Sequence, residues 1–165
     1  MSLITEAREF ATKAHEGQLR NYNGSPYILH PERVAKRFSR MAVATNSAIA
    51  AAWLHDVVED CGVTGDEIGQ RFGATVRDYV LELTNPSKGS PLNRAARKQI
   101  DREHIAGASK VAKTIKLIDR IDNLSEMQGC GDSFLAKYKE ESRLLLDVLR
   151  GTDAELEAEL ESLLT

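Results

Sequence analysis

Cysteine is scarce in this chain: two in 165 residues, Cys61 and Cys130, far apart and in no CxxC pattern. That excludes a disulfide framework and a cysteine-rich zinc site. A basic excess is missing too. Lys and Arg number 22 against 25 Asp and Glu, a net charge of −3, so nucleic acid is not an expected partner. A polyanion would need a local basic pocket or a metal. No apolar run approaches the ~20 residues that cross a bilayer, so no membrane association is expected. With no secretory signal pattern and no disulfide framework, the expectation is a cytoplasmic protein. Sustained period-two alternation is absent as well, so essentially no strand is expected, and there is no internal repeat or low-complexity tract. What remains is 42% hydrophobic and 28% charged, ordinary for a globular protein. The length suits one domain, 1–165, with a core that needs no staples.

The pattern that is present is helical. Ile4 to His15 places Ile4, Ala7, Phe10, Ala11 and Ala14 at helical spacing, and Gly17 closes it. Arg20 to Leu29 reads as a loop, and Pro31 suits the first turn of a second helix running to about Met41. Asn46 or Thr45 can cap a third, Ser47 to Val58, whose run Ile49–Trp53 is rich in alanine. Thr64-Gly65-Asp66-Glu67 is a capping box for a fourth, and Gly73 divides it from a fifth, Ala74 to Leu83. After a loop from Asn85 to Pro91 come Asn93 to Ile105 and Ser109 to Leu124. Asp132 can cap Ser133 to Leu149, and a second capping box, Thr152-Asp153-Ala154-Glu155, opens a last helix to Leu164. The fold class expected is an all-α bundle.

Reactive side chains gather in three places. On a continuous helix His55 and Glu59 would share one face, with Asp56 and Asp60 on the adjacent strip. Three carboxylates so close repel one another, which a cation among them would relieve. The plainer alternative is a helix end turned to solvent, though acidic residues at a C-terminus oppose the macrodipole. In Lys116–Leu124, Asp119 and Asn123 share a face amid Leu117, Ile118, Ile121 and Leu124, and a carboxylate in such a setting needs a partner. Taken alone, an ion pair with Lys116 or Arg120 is the simpler account. The third place is His30, directly before the helix-opening Pro31; taken alone it reads as a capping or core histidine. His15 and His104 read as structural or surface.

Spacing does not prove that these places converge. Read together, His30, then His55-Asp56, then Asp119 on successive helices resemble the signature of the HD superfamily. Four blocks are more specific: Ala14-His15-Glu16-Gly17-Gln18-Leu19-Arg20, Gly24-Ser25-Pro26-Tyr27-Ile28-Leu29-His30-Pro31, Leu54-His55-Asp56-Val57-Val58-Glu59-Asp60 and Lys116-Leu117-Ile118-Asp119-Arg120. In that order they are similar to the hydrolase domain of the RelA/SpoT family, over roughly residues 5 to 150. The resemblance implies an HD-domain helical bundle in which His30, His55, Asp56 and Asp119 bind one divalent metal, commonly Mn²⁺. It implies that Glu59 and Asp60 act on the attacking water, that Arg20 packs on a nucleobase, and that Asn123 contacts the nucleoside. The implied reaction removes pyrophosphate from the 3′ position of guanosine tetra- or pentaphosphate, a small nucleotide. Lys88 to Arg102 supplies cations for such a substrate, with Arg94, Arg97 and Lys98 the phosphate-facing candidates and Lys139 a weaker one; a solvated basic helix face is the equal alternative.

The sequence departs from the family at Asn21, where lysine is common, at a slightly longer Arg20–Gly24 loop, and at Asp122, where His or Tyr is common. A carboxylate at 122 is expected to lie near the metal and oppose a pyrophosphate. There is no room for synthetase or regulatory domains, so a stand-alone hydrolase is expected. A phosphohydrolase of another nucleotide and a non-catalytic nucleotide sensor are the alternatives. The oligomeric state is not legible in the sequence.

Overall fold

Helix starts fall where side chains can satisfy the free N–H groups of a first turn. The computed structural model describes residues 1–165 as ten α-helices: α1 (Leu3–Ala14), α2 (Leu29–Phe38), α3 (Asn46–Leu54), α4 (Val57–Asp60), α5 (Gly65–Phe72), α6 (Ala74–Leu83), α7 (Arg94–Ala106), α8 (Lys110–Glu126), α9 (Asp132–Leu149) and α10 (Ala154–Leu163). Ser2, Thr45, Thr64, Asn93, Ser109 and Asp153 each accept a hydrogen bond from the helix they precede. Ser109 is itself gripped: Glu82 accepts from its backbone N–H at 3.1 Å and from its hydroxyl at 2.6 Å. That bond ties the start of α8 to the end of α6. Between α5 and α6, Gly73 sits at φ +93°, a left-handed conformation that glycine alone enters freely. The one extended pairing is an isolated bridge between Leu19 and Pro26.

Four sequence readings change. The third helix does not run to Val58. It stops at Leu54, because the His55 ring bonds the Ala52 carbonyl through Nδ1 at 2.7 Å, and that carbonyl is the one an unbroken helix would offer to Asp56 N–H. Asp132 is the first residue of α9 and not its cap, a place taken by Gly131. At the C-terminal capping box the register moves by one: Asp153 caps, and Glu157 accepts from the N–H of Thr152 and Asp153 at 2.8 and 3.0 Å. The second helix is also shorter than expected and ends at Phe38.

All ten helices contribute to one cluster of 32 buried apolar residues. Its middle is α3, where Ala48, Ala50, Ala51 and Ala52 are fully buried. Side chains this small let α1, α2 and α6 approach α3 closely. The other central element, α8, packs on α2, α6 and α10. Because α2 touches both α3 and α8, the start of α2, the end of α3 and the middle of α8 meet.

Close packing around α3 makes a definite prediction. Ala51→Leu should overpack the site and cost about 1–3 kcal/mol, whereas Thr45→Ala should remove a cap worth about 1 kcal/mol. Urea denaturation of the two variants measures both. An Ala51→Leu protein as stable as the parent would mean that α3 is not held tightly by its neighbours.

Candidate active site

Two buried imidazoles and two carboxylates converge where α2, α3 and α8 meet. His30 and His55 are 1% and 2% exposed, and Asp119 is 4% exposed. One ligand-type atom from each of His30, His55, Asp56 and Asp119 lies within 4.8 Å of the others. The orientation of each ring is set from behind. His55 donates through Nδ1 to Ala52, which leaves Nε2 pointing inward, 3.0 Å from Asp56 Oδ2 and 3.6 Å from Asp119 Oδ1. That Nε2 is buried and makes no aligned hydrogen bond. His30 engages Asp122 through Nδ1 at 2.6 Å and faces Asp119 with Nε2 at 2.9 Å. The break after Leu54 turns Asp56 inward, and Tyr27 donates to its Oδ2 at 2.7 Å. Lys116 and Asn123, each on the same helix as Asp119, donate to it at 3.0 and 3.2 Å.

An orphaned imidazole nitrogen facing two carboxylates in a buried site is chemically suited to a divalent cation. Two imidazoles and two carboxylates form a donor set that accepts Mn, Fe or Zn, and back-side bonds to each histidine are the usual means of holding metal-ligating rings. The electrostatics point the same way. Burial opposes protonation of His55, but the Asp56 charge and the neighbouring Asp119 outweigh it and raise its pKa well above the ordinary value. Burial likewise opposes charge on His30, and its bonds to Asp119 and Asp122 raise its pKa. Burial disfavours ionised Asp119, yet Lys116 and the two histidines hold its pKa well below the carboxylate range. Asp56 is lowered against its own burial, chiefly by His55. The carboxylates of the cluster thus favour positive charge at this point, on an imidazole or on a bound cation.

Glu59 and Asp60 lie on α4, just past the break. Glu59 is held by the Asn85 backbone N–H on its Oε1 at 2.7 Å; burial and then the Asp56 charge push its pKa up. Asp60 is exposed and touches Gln18 Nε2 at 3.3 Å and Lys88 Nζ at 3.8 Å. Arg20 is 4% exposed. Its Nε donates to Glu126 and its Nη2 to Asn123 Oδ1, both at 2.7 Å, while the rings of Tyr22 and Tyr27 lie 4.9 and 5.2 Å from its guanidinium carbon. The two residues read as nucleoside contacts are thus bonded to each other.

The basic candidates separate. Arg94 is committed to Glu141 by two bonds of 2.5 and 2.9 Å. Arg97 stands half-buried on α7, its Nε buried without a partner, and Lys139 reaches the Thr165 carbonyl at 3.1 Å. Lys98 lines a small cavity with Asn85, Arg102, Lys116, Arg120 and Glu141. Burial and then the nearby Arg120 lower the Lys98 pKa, and Arg120 Nε is buried without a partner. Crowded, incompletely paired cations beside the Asp119 cluster suit an anion. Asp122 does not oppose one in the way its sequence position suggests: Arg33 holds its two oxygens at 2.7 and 3.0 Å, and His30 shares Oδ2 with Arg33.

Sequence reasoning gave no role to Tyr27, Gln18, Arg33 or Glu126, and treated Lys116 and Arg120 only as ion-pair partners for Asp119. Tyr27, Gln18, Lys116 and Arg120 stand inside the motif blocks. Arg33 and Glu126 are recognisable only by where the helices place them.

The HD domain family model matches residues 7–150. Among curated proteins, the chain is 35% identical to the guanosine-3′,5′-bis(diphosphate) 3′-pyrophosphohydrolase MESH1 of Xenopus tropicalis, covering 97% of this chain and 92% of that protein. It is 33% identical to the MESH1 of Drosophila melanogaster, over 96% of this chain and 90% of that one. A solved structure described as "A metazoan ortholog of SpoT hydrolyzes ppGpp and plays a role in starvation responses" superposes with TM-score 0.88 at 31% identity, covering 99% of this chain and 94% of that one. No helix is long and apolar enough to cross a membrane.

The raised histidines and depressed carboxylates give chelator-treated protein a characteristic stability profile. The histidine contribution is fully present below the ordinary value of 6.5 and is lost as pH rises through the higher folded values. The aspartate contribution is present above 3.8 and is lost as pH falls through the lower folded values. Both are complete only between those limits, so chemical denaturation should give maximal stability there, with a decline on the alkaline side that His55→Gln flattens. A parent profile without that alkaline decline would show that the imidazoles are neutral in the folded protein.

Proposed function

This chain belongs to the HD domain family, and on that premise we propose that it hydrolyses guanosine 3′,5′-bis(diphosphate) and the corresponding pentaphosphate at the 3′ position, giving GDP or GTP and pyrophosphate. The observation that carries the reading is the convergence of His30, His55, Asp56 and Asp119 into one buried cluster, in a chain similar over nearly its whole length to named 3′-pyrophosphohydrolases. We take the unit as one HD-type hydrolase domain over residues 1–165, acting in the cytoplasm on a small nucleotide, without nucleic acid. Its two cysteines, both free thiols, support the compartment.

The four cluster residues would hold one divalent ion, which we take to be Mn²⁺ from the resemblance. Such an ion supplies Lewis acidity toward a phosphoryl oxygen and acidifies water. The chain's own residues do the rest. Glu59 offers Oε2 as proton acceptor, because Asn85 occupies Oε1 and burial has brought its basicity closer to neutral pH. Asp60, steadied by Gln18, orients the water. The water oxygen attacks the 3′ α-phosphorus as its proton passes to Glu59, the bond to ribose O3′ breaks, and O3′ leaves as the hydroxyl, taking the proton that Glu59 accepted.

Lys98, Arg102, Lys116 and Arg120 meet the phosphate charge from their shared cavity. Arg97 stands on the same helix as Lys98 and contributes from further out; Arg94 does so only if it leaves Glu141. Arg20 and Asn123 hold the nucleoside. A base stacking on Arg20 takes the place of the Tyr22 ring.

Two measurements test this. Glu59→Gln and Asp60→Asn should keep bound Mn²⁺ by elemental analysis yet lose about 10²–10⁴-fold in turnover; a loss under about tenfold in both would remove them from proton transfer. Product analysis with the tetraphosphate and Mn²⁺ should give GDP and pyrophosphate in equal amounts. Release of inorganic phosphate alone would make the protein a phosphomonoesterase of the same family.

A further inference from the structure

Arg33 sits one turn after His30 on α2 and bridges two carboxylates on α8. Its Nε donates to Asp122 Oδ1 at 2.7 Å and its Nη2 to Asp122 Oδ2 at 3.0 Å. The same Nη2 lies 2.5 Å from Glu126 Oε1. Each carboxylate uses its remaining capacity on a residue of the candidate site. Asp122 engages His30 Nδ1 at 2.6 Å, and Glu126 accepts from Arg20 Nε at 2.7 Å. Arg20 continues to Asn123, Asn123 to Asp119, and Asp119 to His30 Nε2. Seven residues thus close a ring: His30, Asp122, Arg33, Glu126, Arg20, Asn123 and Asp119.

We propose that Arg33, through Asp122 and Glu126, is the positioning residue that fixes both ends of this site: the imidazole facing the metal cluster and the guanidinium facing the nucleoside. The inference rests on the ligand and nucleoside assignments made above. With Asp122 on Nδ1, that nitrogen carries a proton and Nε2 is the one presented to Asp56 and Asp119. Without Arg33, Asp122 and Glu126 are two like charges one turn apart on α8, which repel, and neither has a reason to stay against its site residue. The arrangement also explains why a carboxylate at 122 is tolerated near a pyrophosphate site. Its charge is shared between Arg33 and His30 and does not face the cavity lined by Lys98 and Arg120.

A simple helix-to-helix ion pair would stabilise the fold and do nothing else, so the test separates the two ends. Asp122→Ala should weaken Mn²⁺ binding by about 10–100-fold, the usual effect of removing an outer partner of a ligating histidine, with KM for the tetraphosphate within about twofold of the parent. Glu126→Ala should raise KM about tenfold or more, as expected when a charge-assisted bond is lost, and leave Mn²⁺ affinity unchanged. Arg33→Met should show both defects, and Arg33→Lys should recover part of each. Arg37→Met on the same helix, whose ion pair reaches Glu159 on α10, is the control and should show neither. In chelated protein at alkaline pH, ¹⁵N NMR should find the His30 proton mainly on Nδ1, against the shorter bond to Asp122, in the parent and the Arg37→Met control, and moved toward Nε2, which Asp119 still faces, in Asp122→Ala and Arg33→Met. That arm needs neither ion nor substrate, so it reads the brace even if the tetraphosphate is not the substrate. If Arg33→Met matches Arg37→Met in Mn²⁺ affinity, KM and His30 signal, Arg33 is a structural ion pair and the proposal is wrong.

Discussion

Asp119 is a carboxylate set among the buried apolar side chains Leu117, Ile118, Ile121 and Leu124 of α8, and its charge has to be answered inside the protein. Burying an unpaired ionised carboxylate costs several kcal/mol. Lys116 and Asn123 come from its own helix, while His30 must be delivered by α2. This demand fixes how α2 sits against α8. Once α2 is docked there, Arg33 falls against Asp122 and Glu126, and the start of α2 brings Tyr27 to Asp56. The geometry of the site follows from one buried charge and the partners it recruits.

The other half of the cluster depends on side chains that are small. The fully buried alanines of α3 bring that helix close to α1, α2 and α6, so its C-terminal end reaches the site. There the helix yields. The His55 ring takes the Ala52 carbonyl, which costs the helix a backbone bond and gains a fixed imidazole, and the turn it causes swings Asp56 inward. Glu59 and Asp60 restart on a separate short helix facing the loop that carries Asn85 and Lys88. A continuous helix would have placed these acids differently; breaking it separates His55 and Asp56, which face the buried cluster, from the two acidic groups beside them.

Lys116 joins two regions of opposite electrostatic demand. It bonds Asp119 in the carboxylate cluster and lines the cavity that holds Lys98, Arg102 and Arg120. A site with an excess of acids on one side and of bases on the other is suited to a cation and a polyanion bound next to each other. That pairing is what metal-assisted cleavage of a diphosphate requires.

The helical class, most element ends and the composition of the reactive clusters were legible in the residues. They depend on local chemistry: periodicity, Thr and Asn caps, and glycines such as Gly73 act within a few residues. The identity of His30, His55, Asp56 and Asp119 as one set came from motif blocks read in order, because spacing alone left His30 a core histidine and Asp119 an ion pair. Tertiary structure decided what lies between distant segments. The break at His55 arises from a ring turning back on its own helix, a choice that only the packed site enforces. The pairing of Arg94 with Glu141 and of Arg33 with Asp122 and Glu126 joins residues 47 to 93 positions apart, far beyond the reach of any local pattern. Asp122 shows the difference most clearly. In sequence it is one more negative charge near a phosphate site; in the folded chain two neighbours from α2 have already neutralised it.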